Sequence, residues 1–312
     1  MTSVPTLPLL APWYRVVGDD ERLLLEHAQS LVVLEGAAVR SLLPALLPLL
    51  DGTRDADAIA ARLGPAARPA VDAALELLTA HGIVVEGPDA PHELRDPARA
   101  AAASFALPPA EAADRLRRAA VGLAGSAGSV VEIARLLSVA GIRTLRRLGW
   151  RGRGAVDLVV VAPAAGELDR LGSWNERALA RGTPYLPVRP WDGRVAAVGP
   201  LILPHQTCCY RCVLLRRGAN LGYGVELVDV EEVPLAAAPD LPLTAIAAAL
   251  AAHLAVRWVV GRDATVPGVM HTVSAQPSPS VEAHPVLRVP RCPSCSAAEQ
   301  QAPPLPWHAA AA

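Results

Sequence analysis

At 312 residues, 52% of them apolar, the chain has room for two domains with sizeable cores, and its formal net charge of -1 favours neither disorder nor polyanion binding. All 29 basic residues are arginine, which excludes Walker A phosphate binding, pyridoxal Schiff bases and lysine nucleophiles.

The N-terminus shows no secretory signal, because Pro5, Pro8 and Pro12 interrupt its apolar residues and no basic run precedes them. A cytoplasmic protein is expected. Residues 13–17 are β-rich and meet a turn at Gly18-Asp19-Asp20; residues 23–27 follow, then a break at Ala28-Gln29, then residues 31–34. Helical periodicity begins at residue 37, where Val39, Leu42, Leu43, Leu46 and Leu50 share a stripe that Pro44 and Pro48 must bend. Ile59 and Leu63 mark a short helix ended by Gly64. A third helix starts near Pro69, buries Val71, Ala74, Leu75 and Leu78, and stops at Gly82, with 83–85 as a candidate extension strand.

This βββααα order over residues 1–87 predicts a winged-helix-like module. DNA binding is disfavoured, since six arginines face eleven carboxylates in that stretch, a net charge of -5. A strand at 31–34 lying beside the third helix would instead offer an edge and a groove to an extended peptide by β-addition. A purely structural cap is the alternative.

Residues 88–112 are rich in proline around an alanine run and read as a linker with one helical turn. The second domain, 113–300, alternates strands and helices: strands at 119–123, 142–145, 156–162, 185–188 and 195–203, helices at 130–140, 174–180 and 243–260, then strands at 269–273 and 280–289. That alternation predicts a Rossmann-like parallel sheet. The span 241–260 is apolar enough for a membrane, but it is alanine-rich and carries His253 and Arg257, so a buried helix is expected. Residues 301–312 read as a flexible tail.

Two motifs carry chemistry. Cys209-Tyr210-Arg211-Cys212 and Cys292-Pro293-Ser294-Cys295 form two C-x-x-C knuckles. Four thiolates complete a tetrahedral zinc shell with no open position for substrate, which argues for a structural zinc; thiol redox chemistry and coincidence are the alternatives. Cys208 is spare, and His205 is expected to be a loop residue rather than a fifth ligand. The second motif, Gly122-Leu123-Ala124-Gly125-Ser126-Ala127-Gly128, lies between a strand and a helix, where a phosphate loop belongs. Its spacing departs from G-x-G-x-x-G at Ala124 and Ala127, and the next strand ends in Arg146-Arg147 instead of a ribose-binding carboxylate. Both a degenerate nucleotide loop and a close-packed turn fit these residues.

The run Val198-Gly199-Pro200-Leu201-Ile202-Leu203-Pro204 before Cys209-x-x-Cys212, and the closing segment from His284-Pro285 to Cys292-Pro293-Ser294-Cys295, resemble the ThiF-like, E1-like proteins of azole-containing (thiopeptide-type) ribosomal peptide biosynthesis. The N-terminal module resembles their PqqD-like recognition element. The resemblance implies a non-catalytic scaffold that grips the leader of a precursor peptide and presents it to a separate YcaO-type cyclodehydratase, the chain's end soon after the second knuckle being read as leaving no room for a fused one. It places the leader along Ser30, Leu31, Val32, Val33 and Leu34, against the helix carrying Arg68, Val71, Asp72, Leu75, Glu76 and Thr79. No ATP is expected on this chain, no nucleic acid and no membrane. A homodimer fits the resemblance, though no residue shows one. The alternative reading is an ATP-dependent adenylating enzyme acting on a peptide or carrier-protein carboxylate; a zinc-bearing transcription regulator is weakened by the acidic N-terminus.

Overall fold

The structure is a computed structural model that describes residues 3–18, 21–126, 128–222, 238 and 240–296. The expected turn residues Asp19 and Asp20, Ala127 of the glycine loop and the expected tail lie outside the described residues. The chain divides into two compact units, Met1–Leu116 and Arg117–Ala312.

The first unit opens with a short strand, β1 (Pro8–Leu10), and continues into an antiparallel meander of β2 (Arg15–Gly18), β3 (Arg22–His27) and β4 (Ser30–Glu35). The register sets Leu25 opposite Val32 and Leu23 opposite Leu34. The expected 37–50 helix is broken at its prolines into α1 (Ala37–Ser41), α2 (Leu43–Leu46) and a 3-10 turn over Leu47–Leu49. Helix α3 (Ala56–Leu63) is started by the Asp55 carboxylate, which accepts from the Ala58 amide at 2.8 Å, and ends at Gly64, whose φ of 101° only glycine adopts readily. Helix α4 (Arg68–Ala80) and β5 (Val84–Glu86) follow, and β5 pairs antiparallel with β1. The strand at 83–85 is therefore real, but its partner β1 is a three-residue piece too short for periodicity to reveal. Leu25, Leu46, Ile59, Val71, Leu75, Leu78 and Ile83 form the core.

Residues 88–112 hold more than one helical turn. They include a 3-10 turn at His92–Leu94, α5 (Arg95–Phe105) and the start of α6 (Pro109–Arg118). Pro97 and Pro109 fall in the first turns of these helices, where a missing N–H costs nothing, so the prolines mark helix starts. Ala98, Ala101 and Ala102 give α5 a buried face at helical spacing.

The second unit is built on a seven-stranded mixed sheet. In chain order its elements are β6 (Ala120–Ala124), α7 (Gly128–Val139), β7 (Thr144–Leu148), β8 (Leu158–Val161), α8 (Arg170–Arg181), β9 (Tyr185–Arg189), β10 (Val195–Val198), α9 (Tyr210–Leu221), α10 (Leu241–Val259), β11 (Val269–Ser274) and β12 (Ser280–Pro285). The spatial order is β12-β11-β10-β9-β8-β6-β7. Strands β7, β6, β8 and β9 are parallel; β9 to β12 are antiparallel, so the expected parallel sheet occupies only one half. All four residues of β8 are buried, as an interior strand of a sheet covered on both faces requires. The chain switches direction at β6, with β7 on one side and β8 on the other, and the glycine loop leaves the sheet there. By length and composition α10 could cross a membrane. It packs on α7 and the sheet instead, burying Leu243, Ala247, Ala251 and Leu254, in accord with the sequence reading.

Candidate metal centre and peptide-binding edge

The two cysteine knuckles meet. Cys209 is the residue before α9 and Cys212 lies in its first turn; Cys292 and Cys295 occupy the turns that follow β12. The Sγ atoms are 3.8 Å apart for Cys209 and Cys212, 3.7 Å for Cys209 and Cys292 and 3.6 Å for Cys212 and Cys295, and all four lie within 4.8 Å of one another. A tetrahedron with metal–sulfur bonds of about 2.3 Å has edges of about 3.8 Å. These spacings are also far longer than the roughly 2.05 Å of a disulfide. The four buried cysteines could therefore hold a metal ion, and no position would remain open on it.

Local interactions prepare the site. The Val289 amide donates to the Cys212 sulfur at 3.3 Å. Hydrogen bonds from Cys209 and Cys292 hold the Cys212 thiol well below its ordinary range, and donation to Cys212 and Cys292 keeps the Cys209 thiol well above it. Burial pushes Cys295 up to about 11 and Cys208 up to about 12. Cys208 is buried beside the cluster but is not one of its four members. The His205 ring nitrogen bonds the Leu179 carbonyl at 3.2 Å, so this residue is a loop anchor.

Sequence reasoning missed the two arginines that join the knuckles. Arg288 donates to the carbonyl of His205 at 3.0 Å and to that of Cys295 at 2.8 Å. From α9, Arg216 donates to the carbonyls of Leu287 and Arg288 at 2.5 and 3.0 Å. Arg216 stands one helical turn after Cys212, the one sequence cue to its place.

The glycine loop is shaped by packing. Gly125 has φ 112°, and a Cβ there would sit 2.0 Å from the Ala162 carbonyl oxygen at the end of β8. Ser126, the one hydroxyl of the loop, donates to Glu167. Glu167 also accepts from Trp150 Nε1 at 3.2 Å, the Ala164 amide at 3.3 Å and Arg170 at 3.2 Å. Burial alone would raise its pKa, but these hydrogen bonds outweigh it and hold the carboxyl below its ordinary range. A cavity of about 450 Å³ lies beyond the loop, bounded by Gly128, Pro163, Arg189, Trp191, Leu241 and Thr244. Among the described residues no carboxylate lines it, and the one cation that does, Arg189, bonds the Tyr210 hydroxyl.

In the first unit β4 is an edge of its sheet, as expected. Val32 and Leu34 face the core, while Leu31 and Val33 are 58% and 46% exposed and Ser30 is exposed. The residues expected on α4 divide into two sets. Val71 and Leu75 are wholly inside the core, on the cluster that Val32 and Leu34 also touch, so they do not line an open groove. Arg68, Asp72 and Glu76 face solvent or its margin, and Arg68 bonds Asp72 at 2.7 Å and also Asp57. Thr79 is buried, and its hydroxyl meets no partner among the described residues.

No family model matches the chain, and no curated protein matches it. Solved structures do. A heterocyclase in complex with substrate and cofactor aligns with TM-score 0.70 and 23% identity over 92% of this chain and 39% of its own. The heterocyclase TruD gives 0.70 and 24% over 93% and 43%. The chain thus spans about two fifths of the length of these two proteins. Escherichia coli MccB, solved with AMPCPP and MccA, gives 0.65 and 14% over 93% of this chain and 99% of its own. The mixed α/β architecture of this chain is the fold that these proteins share with it, and it carries a cluster of four cysteines.

Proposed function

We propose that this chain is a non-catalytic scaffold of azole-containing peptide biosynthesis, which binds the leader of a ribosomal precursor and presents it to a separate YcaO-type cyclodehydratase. The observation that carries the reading is the open edge of β4, with Leu31 and Val33 exposed on one face and Val32 and Leu34 anchored in the core. A leader adding as a further strand would draw its affinity from main-chain hydrogen bonds along residues 30–34 and its selectivity from side-chain contacts. The winged-helix-like first unit would act as the PqqD-like recognition element. Arg68, Asp72 and Glu76 would meet the leader from α4, with Val71, Leu75 and the buried Thr79 on the inner side of that helix.

The likeness to two heterocyclases and to MccB supports this reading at the level of fold. We assign the four cysteines to a structural zinc: the donor set is all thiolate, closed and matched to a tetrahedron. Zinc would clamp the α9 arm to the segment after β12 and take no part in chemistry.

A second reading, an ATP-dependent adenylating enzyme, draws on the cavity at the end of β6, β8 and β9 and on the MccB likeness. Against it stand a cavity lining with no carboxylate among the described residues and a loop whose one hydroxyl is engaged by Glu167. Leader binding measured beside ATP-dependent pyrophosphate exchange on the intact chain separates the two.

A further inference from the structure

Between residues 142 and 154 the sequence carries Arg143, Arg146, Arg147, Arg151 and Arg153 with no carboxylate. Leader binding and metal binding use none of them. Residues 149–157 connect β7 to β8, two parallel strands on opposite sides of β6, so this segment must cross over the sheet. Such crossovers ordinarily take a dozen or more residues and carry a helix. This one is shorter and holds only a turn, closed by the Gly152 amide donating to the Gly149 carbonyl at 2.7 Å.

A cavity of about 110 Å³ remains between the crossover and α8. Its cations are Arg153 from the crossover and Arg177 and Arg181 from α8; Leu148, Val159 and Trp174 form the floor, and no carboxylate among the described residues lines it. Arg177 donates to the Trp150 carbonyl at 3.0 Å and Arg181 to the Gly152 carbonyl at 3.3 Å, so both guanidiniums are held at the wall. The Nε of Arg177 is buried and has no partner among the described residues. Arg170, on the same helix, shows the contrast: it pairs with Glu167. None of Arg151, Arg153, Arg177 and Arg181 meets a carboxylate among the described residues. Burial, and then the like charges of Arg181 and Arg151, pull the Arg177 guanidinium below its ordinary range. Positive charge packed this closely without a counterion is costly, and an anion in the cavity would relieve it.

We propose that this cavity is a phosphate-binding site, in which Arg153, Arg177 and Arg181 hold one phosphate group. Planar guanidinium forks match the paired oxygens of phosphate, and three cations favour a dianion over a monocarboxylate. The inference does not rest on the proposed function.

Calorimetric titration of the full chain at low ionic strength tests it, with inorganic phosphate as the probe and acetate and ionic-strength-matched sodium chloride as controls. One saturable phosphate site is expected, with acetate about tenfold weaker or worse. Arg153→Gln, at an exposed position, and Arg177→Met should each weaken phosphate by about tenfold while leaving circular dichroism unchanged. Should Arg177→Met fail to fold, Arg153→Gln and Arg181→Gln carry the test. Titration with AMP then distinguishes sources: equal affinity supports any terminal phosphate, and exclusion of AMP supports the free ion. Absence of saturable phosphate binding, acetate binding as tight as phosphate, or binding undiminished in the folded variants would overturn the proposal.

Discussion

The Sγ atoms of Cys212 and Cys295 stand 3.6 Å apart across 83 residues of chain. A metal held there with Cys209 and Cys292 would close a long loop, and because an unfolded chain has no such preformed site, its binding free energy would add to folding stability. Metal analysis should find one zinc per chain. Cys295→Ser should lose it and lower Tm, and a strong chelator should do the same to the wild type. Cys208→Ala should keep the zinc, since that thiol lies outside the four. Acidification should release metal as the thiolates take up protons.

Gly125 and Ala162 make the tightest approach in the glycine loop. Gly125→Ala sets a methyl against a carbonyl oxygen at a φ unfavourable to any residue with a Cβ. A loss of at least about 2 kcal/mol is expected by denaturant unfolding. Gly128→Ala, where a Cβ would meet nothing within 4 Å, should be much milder.

The Thr79 hydroxyl is buried without a partner among the described residues. Thr79→Val keeps the shape and removes the unsatisfied group, so it should stabilise the chain by about 1 kcal/mol in urea unfolding. A destabilised variant would reveal a hydrogen bond at that position.

Hydrogen bonds from the Thr265 hydroxyl and amide, then from Arg257, hold the Asp263 carboxyl down to about 2. The folded value lies below the unfolded one of about 3.9. The stabilisation is therefore present above that unfolded value and fades as pH falls towards 2. Asp263→Asn should lower Tm at neutral pH, and the gap to wild type should close on acidification through pH 4 to 2. A gap that does not change with pH would mean the carboxylate charge does not matter there.

The parts legible in the sequence were those with a short physical signature. The C-x-x-C spacing marked all four residues of the cysteine cluster, and the unbroken apolar run of β8 marked a buried interior strand of the sheet. The meander β2 to β4 followed from its β-rich segments and the turn and break residues between them. Other parts were hidden for identifiable reasons. Proline in the first turns of α5 and α6 looked like linker composition, although those are positions a helix tolerates. Helix α9 has its polar and apolar residues poorly segregated, and its start coincides with the first knuckle, which masked it. Arg288 and Arg216 act through backbone carbonyls of residues distant in the chain, a relation that no local pattern records. On α4 the periodicity correctly placed Val71 and Leu75 inside, and for that reason they form core rather than groove.

The central claim is that a leader adds to the edge of β4, and a proline scan of that strand tests it most directly. On an antiparallel edge strand, alternate residues point their N–H outward, so one of Val32 and Val33 offers its amide to an incoming strand and the other bonds β3. Fluorescence polarisation of a labelled precursor leader against the full-length wild type, Val32→Pro and Val33→Pro, with fold checked by circular dichroism, reads the difference. The account predicts saturable binding by the wild type without ATP, and its loss in the variant whose outward donor is removed while the fold persists. A leader that fails to bind the wild type, or that binds both folded variants undiminished, would contradict it.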